Sequence, residues 1–454
     1  MGMDLFLPCA AGAEALLAQE CKRVLGARTR MLEARGGVTV EGDEMAAMQL
    51  NLESRLAQRV LWPLAHGAYR HEQDLYDLAR SVRWTDWITP QQTLRVDTTA
   101  QRSPLRSLNF ATLRIKDAVC DALRDASGER PSVDTREPDL PLALHLTPTH
   151  ATLYVDTSGE PLFKRGWRDA RAAGRDVTGE APLKETLAAA MLAAAGWHGR
   201  ADGRPLFDPC CGAGTIAIEA AQIACGIAAG SQRRFAFERL TPFRETGMQR
   251  QWRDLREAAR AAEHASAVPI HAGDVSFRMT DFAARNAERA GVRSAIDLKT
   301  ADVLQRLPPA EHGTMMLNPP YGERIEPKGS RGEPVQRSGS RGGTEQPLGP
   351  RAEAESWLDP HDQPVHRSGA REGFEDGASA QDFFARLAAH WKRTYPGWTA
   401  WVLSPDMKLP QAMRLKESQR VPMWNGPIEC RLFRFDMVAG SMRADPPADA
   451  SHRA

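Results

Sequence analysis

Between residues 208 and 321 the chain repeats one pattern that few folds accommodate: an apolar run, then a polar residue, then a helix. Leu206-Phe207 reads as a short buried strand ended by Asp208. Pro209-Cys210-Cys211-Gly212-Ala213-Gly214 then turns into an apolar helix expected over 215–229. Val268 to Ala272 reads as the next strand, with Gly273-Asp274 behind it and a helix from Phe277 to Ala290. Ala295 to Lys299 is the third strand, followed by Asp302. Thr314 to Leu317 is the fourth, followed by Asn318-Pro319-Pro320-Tyr321. Strands that alternate with helices and end in polar residues predict a doubly wound α/β domain. Such a domain binds its ligand at the carboxyl ends of the strands.

The residue types narrow the ligand. Gly212 and Gly214 permit a tight turn and close approach of a bound molecule. No Gly-Lys-Ser/Thr follows, so the turn is not a phosphate-gripping loop, and the GxGxxG spacing of a dinucleotide site is missing. An adenosine cofactor fits better, and S-adenosylmethionine is the one expected. Asp208, Cys210, Gly212, Gly214 and Thr215 are the residues expected around it. Asp274, with its neighbour Val275, is placed to accept from ribose hydroxyls, and Asp302, with Val303, to accept from an adenine amino group. Taken singly, each aspartate reads equally well as a helix cap or a surface residue. Their spacing from the glycine turn gives them weight.

Asn318-Pro319-Pro320-Tyr321 carries the expected chemistry. Two prolines fix the backbone and remove two N–H donors. The Asn318 side-chain oxygen and a backbone carbonyl can then accept from an exocyclic amino group, while Tyr321 stacks on the base. Methylating such a nitrogen needs its lone pair freed from the ring and aimed at a methyl carbon. Positioned acceptors do this without a strong base.

Ahead of this domain, Met3 to Leu7 reads as a strand, Glu14 to Leu25 as a helix, Gly36 to Val40 as a turn entering a strand, and Asp43 to Leu50 as a second helix. Arg55 and Arg59 read as ordinary structure. A second α+β unit is expected over about 65–155, with a strand at Leu94 to Thr98 and alternation from His145 to Val155. Its helix, Asn109 to Leu123, is expected to turn Leu113, Ala118 and Leu123 inward and Arg114 and Lys116 outward. These cations, with Arg130, suit a phosphate backbone and suit a solvated face equally well. Lys164-Arg165-Gly166-Trp167-Arg168, with Lys184 soon after, reads as a nucleic-acid contact, since Arg forks onto phosphate and Trp stacks on an unpaired base. The competing reading is a basic linker. A helix from Gly179 to Trp197 follows.

Whole-chain properties set limits. At a net charge of +1, nucleic-acid binding must rest on local patches. Seven scattered cysteines, two of them adjacent and none in a CxxC pair, exclude a zinc or disulfide framework, and no metal is expected. No run of 18 apolar residues and no basic leader occurs, so a cytoplasmic, monomeric protein is expected.

The chain resembles the bacterial 23S ribosomal RNA guanine-N2 methyltransferases that carry an N-terminal THUMP domain. The matching positions are Asp208 to Thr215, Asp274, Asp302 and Asn318-Pro319-Pro320-Tyr321-Gly322-Glu323-Arg324. Arg130 to Asp134, Asp156 to Leu162, Lys164 to Arg168, Gly179 to Leu187 and Asn425-Gly426-Pro427 match outside that core. The resemblance implies a Rossmann-like class I methyltransferase domain, with a mostly parallel seven-stranded sheet, over 201–438. Ahead of it would come a ferredoxin-like part over 1–44, a THUMP RNA-binding domain over 45–155 and a linker with its helix over 156–200. It further implies ribosomal RNA as partner, Asn318 and Tyr321 at the guanine, and Arg324 at the RNA. Transfer RNA guanine-N2, nucleic-acid adenine-N6 and a non-catalytic assembly role are the competing functions. Some members carry a second methyltransferase domain behind the first, and this chain is expected to have a single activity.

Residues 327–376 interrupt the catalytic domain with a Gly-, Pro-, Ser- and Arg-rich insertion. Pro334 to Arg341 returns imperfectly as Pro364 to Arg371, and the composition predicts disorder. Asp382 to Tyr395 resumes as a helix, and Thr399 to Leu403 and Cys430 to Met437 as strands. Lys416, Arg420 and Asn425 are expected in a loop, and 439–454 as a tail.

Overall fold

The computed structural model describes residues 3–168, 183–319 and 380–438. Pro320, Tyr321, Arg324, the 327–376 insertion and the 439–454 tail lie outside the described residues.

The first unit is β1 (Met3–Pro8), α1 (Glu14–Leu25), β2 (Met31–Ala34), β3 (Gly37–Gly42), α2 (Glu44–Glu53) and β4 (Leu61–Ala68). Asp43 caps α2, its side chain accepting from the Ala46 amide at 2.9 Å. Alternation buries Val38 and Val40 of β3 against Leu5 and Leu7 of β1. The domain boundary expected after residue 44 falls at the start of α2. That helix packs on α1 and β3, so the first unit runs on to β4.

The second unit is α3 (Glu72–Arg80), β5 (Thr93–Ala100), α4 (Leu108–Ser127), β6 (Ser132–Val133), β7 (Leu140–Leu146) and β8 (His150–Asp156). The alternating stretch expected from residue 145 to 155 is the end of one strand, a turn and a second strand. β4 pairs with β8 along its length, so both units share one eight-stranded sheet, ordered β2-β3-β1-β4-β8-β7-β5-β6. Ala111, Ile115, Ala118, Val119 and Leu123 form the buried stripe of α4. Leu113, expected inward, is 42% exposed because it lies half a turn off that stripe.

The helix α5 (Glu185–Ala194) leads into the third unit: β9 (Leu206–Asp208), α6 (Thr215–Ala224), α7 (Thr246–Ala261), β10 (Ile270–Asp274), α8 (Phe277–Arg289), β11 (Ile296–Thr300), β12 (Gly313–Leu317), α9 (Ala380–Thr394), β13 (Trp398–Ser404), α10 (Leu409–Met413), β14 (Gln419–Asn425) and β15 (Ile428–Asp436). These strands form a seven-stranded sheet, ordered β11-β10-β9-β12-β13-β15-β14. The first five are parallel and β15 runs against them. Arg420 and Asn425, expected in a loop, lie in β14, paired antiparallel to β15. The strand order reverses at β9, and that switch point opens a crevice at the carboxyl ends of β10, β9 and β12.

The two halves join through backbone and buried charge. The Gly230 amide donates to Leu52 at 2.8 Å and the Phe237 amide to Thr157 at 3.0 Å. Arg59 pairs with Asp156 inside the N-terminal half, and Arg55 crosses to Glu219 of α6 at 3.2 Å.

Candidate functional site

The strand ends bring Asp208, Asp274 and Asn318 to one rim. Asp208 closes β9, Asp274 closes its neighbour β10, and Asn318 follows β12 on the other side. Parallel register sets the depth, with Asp208 opposite Ala272 and Met315 opposite Phe207. Sequence spacing alone fixed none of these neighbour relations. The sheet order does.

The glycine turn is held from three sides. The Cys211 amide donates to Gly273 at 2.8 Å, tying the turn to β10. The Gly212 amide donates to Asp274 Oδ2 at 2.9 Å, and the fully buried Asn286 of α8 donates to the Ala213 carbonyl at 2.9 Å. Gly214 sits at φ +88°, and a Cβ there would stand 3.0 Å from that of Ala283. Both the left-handed backbone and the close helix approach favour glycine. Asn286 was missed by the sequence reasoning. Its signal is an amide on the buried, mostly apolar face of α8.

Asp274 is 6% exposed, and its Oδ1 accepts from the Ser276 amide at 3.0 Å. Each of its oxygens accepts one of these bonds and keeps a lone pair for a ligand. Val275 is 43% exposed beside it, whereas Val303 is buried. Asp302 Oδ1 accepts from the Leu304 amide at 2.9 Å, an Asx turn that fixes the carboxylate. It borders an open cleft of about 540 Å3, shared with His271, Asp297 and Lys299. Thr215 begins α6 and is buried, and Cys210 is half-buried.

Asp208 is 1% exposed, and neither carboxylate oxygen has a well-formed hydrogen bond among the described residues. Burial pushes its pKa well above the ordinary carboxylate value, and the charge of Asp274 adds to the rise. The Cys210 amide only partly offsets them. The same burial, with Asp208 and Asp274 nearby, raises the Cys211 thiol well above its usual range, so it stays protonated.

A carboxyl group whose pKa rises on folding binds more protons folded than unfolded, so its ionisation costs stability as pH climbs. Asp208→Asn is therefore expected to be more heat-stable than the wild type at neutral pH, with no ligand present. The gap should widen as pH rises above the ordinary carboxylate range, as the wild-type carboxyl ionises. Thermal unfolding of both proteins at increasing pH checks this, and a gap that is constant or narrows with pH would contradict it.

The side-chain oxygen of Asn318 is buried and lacks a partner among the described residues. Pro319 behind it is buried, and β12 is buried at every position. An acceptor held on a rigid strand end without a donor is suited to an incoming amino group.

The cations expected at RNA divide. Arg165 is turned inward at 2% exposure, its Nε 3.0 Å from Glu219 Oε1. Arg168 lies against Glu185 at 2.8 Å and donates to the Thr215 hydroxyl. Trp167 is 1% exposed, so it offers no face to a base. The basic stretch is therefore a strap between the two halves, with Arg165 and Trp167 buried, and Arg165 and Arg168 are withdrawn as RNA contacts. Buried carboxylates on α5 and α6 drew those guanidiniums in. Lys164 stays exposed near Glu160, and Lys184 covers the Phe163 ring at 4.8 Å. Lys116 of α4 and Arg130, just beyond that helix, both meet Asp117, and Arg114 of α4 donates to Gln73 at 2.6 Å over the Tyr76 ring. Among the described residues there is no cluster of three metal-ligating side chains, and no helix is long and apolar enough to cross a membrane.

Comparison with known proteins matches three parts of the chain to family profiles. Residues 4–61 match an RlmL ferredoxin-like domain, 69–156 a THUMP domain and 172–335 an RMKL-like methyltransferase domain. A relative from Synechocystis named "Putative RNA methyltransferase" is 31% identical over 95% of this chain and 96% of its own length. The ribosomal RNA large subunit methyltransferase K/L of Shewanella baltica is 31% identical over 98% of the chain. The chain spans about half of that relative's length, 54%. Among solved structures, SMU.472, crystallised with SAH, covers 96% of the chain at a TM-score of 0.74 and 22% identity, a likeness of fold.

Proposed function

This chain belongs to the RMKL-like methyltransferase family, and we propose that it methylates the exocyclic N2 amino group of a guanine in large-subunit (23S) ribosomal RNA. S-adenosylmethionine is the methyl donor, and when bound it supplies an electrophilic methyl group on a positively charged sulfur. The residues present fit it. The buried Asp208 carboxyl, which only the Cys210 amide approaches among the described residues, suits a ligand that brings donors and positive charge. Asp208 and the Gly212 to Gly214 turn would hold its amino-acid end, Asp274 and Val275 its ribose, and Asp302 and Val303 its adenine.

The observation that carries the reading is the buried Asn318 oxygen at the end of β12, which has no partner among the described residues. In this reading it accepts from guanine N2 and turns that nitrogen's lone pair towards the methyl group. Accepting one N–H as positive charge develops on nitrogen stabilises the transition state more than the ground state. Tyr321 would stack on the base and Arg324 would meet the RNA. Lys116, Arg114, Arg130, Lys164 and Lys184 remain candidates for phosphate contacts from the THUMP side. The K/L relative's name supports ribosomal RNA as substrate.

Base-resolved methylation mapping of cellular RNA, with and without the protein, tests the proposal. One N2-methylguanine in large-subunit RNA should disappear with the protein. Loss of a methyl group from transfer RNA, or from an adenine, would overturn the substrate assignment.

A further inference from the structure

The strap grips one face of the helix that leaves the cofactor turn. Thr215 and Glu219 lie four residues apart on α6, hence on the same face. Arg168 donates to the Thr215 hydroxyl, and Arg165 lies 3.0 Å from Glu219, itself fully buried. Two strap residues three positions apart thus dock on successive turns of one helix. Arg165 also donates to the Leu162 and Arg55 carbonyls at 2.8 and 2.7 Å, which locks the strap to the N-terminal half. Its Gly166 stands at φ +102°, where a Cβ would sit 2.6 Å from the Gln232 carbonyl, so the strap has little freedom to slide.

Arg168 stands where two helices begin. Glu185 is the first residue of α5 and Thr215 the first of α6. Its Nε is 2.8 Å from Glu185 Oε1 but off the N–H axis, so this contact is ionic rather than a well-formed hydrogen bond. Thr215 follows Gly214 directly, so whatever fixes the Thr215 side chain fixes one end of the turn. Asn286 and Asp274 hold the other side of that turn.

We propose that Arg168 is a positioning residue for methyl-donor binding: by bridging the first residues of α5 and α6 it holds the glycine turn in its binding form, through Thr215. Because the strap is bolted to the N-terminal half through Arg165, the placement of that half and of the turn are set together. The inference concerns the cofactor turn and is independent of which base is methylated.

The test is calorimetric titration of the full-length protein with S-adenosylhomocysteine, beside its thermal midpoint without ligand and its affinity for large-subunit RNA. Arg168→Gln is expected to weaken S-adenosylhomocysteine binding roughly 10-fold or more, as the loss of a charged hydrogen bond implies. Arg168→Lys keeps a cation beside Glu185 but lacks the fork that reaches Thr215. It should recover thermal stability and leave binding weak. Adding Arg168→Gln to Thr215→Val should weaken binding little beyond Thr215→Val alone, since the two act in series. A lowered thermal midpoint with unchanged affinity would reduce Arg168 to a structural contact and overturn the proposal. So would weakened RNA binding with unchanged S-adenosylhomocysteine affinity.

Discussion

Asn318→Ala is expected to lower the single-turnover rate of methyl transfer by roughly 10²-fold or more, with S-adenosylmethionine and RNA affinities near wild type. The separation follows from position. Cofactor contacts are assigned to the glycine turn, Asp274 and Asp302, and RNA contacts to the N-terminal units and the exposed lysines. Asn318 sits at the end of β12 with a buried acceptor that has no partner among the described residues. The side chain ends a strand that is buried throughout, so truncation should not disturb the fold. Asn318→Asp keeps an acceptor, adds a charge and should retain part of the activity. Tyr321→Phe should be mild and Tyr321→Ala severe if the ring stacks on the base. Single-turnover assays on unmodified large-subunit RNA, with both affinities measured beside them, check the set. Near-normal turnover in Asn318→Ala would remove this loop from the chemistry.

The second large effect is on stability. Glu219→Ala is expected to cost about 3–5 kcal/mol, because it strands two buried guanidiniums in one site. Glu219 is fully buried, with Arg55 at 3.2 Å on one oxygen and Arg165 at 3.0 Å on the other. Removing the carboxylate leaves like charges facing each other without water. Combining Glu219→Ala with Arg165→Ala should cost less than the sum of the two, since the second change removes a cation that the first left unpaired. Urea unfolding of the single and double variants measures this. Strict additivity, or a loss under about 1 kcal/mol for Glu219→Ala, would show that the pair contributes no more than an exposed one.

The strand-end residues were legible because each is local. Asp208, Asp274 and Asn318 close or follow strands whose apolar residues are plain in the sequence, and the sheet order brings the three to one rim. Arg165 and Arg168 were misread because their sequence context is that of a basic surface, while their partners, Glu219 and Glu185, come from other helices. A signal was present: Glu219 is the only charge in the apolar α6, and a buried carboxylate needs a cation. β14 was missed because Pro422 in its middle argues against a strand. It is the edge of the sheet, where proline is tolerated. Leu113 shows the limit of spacing on a long helix, where a half-turn error exchanges core for solvent. α7 was passed over although Met248, Trp252, Leu255 and Ala259 make a narrow apolar stripe at helical spacing along an otherwise polar helix.

The most direct test of the account is nucleoside analysis of large-subunit RNA methylated in vitro by the purified protein with isotope-labelled S-adenosylmethionine. The label should appear in N2-methylguanosine with wild-type protein and be nearly lost with Asn318→Ala. Label in N6-methyladenosine, or equal labelling by the two proteins, would contradict it.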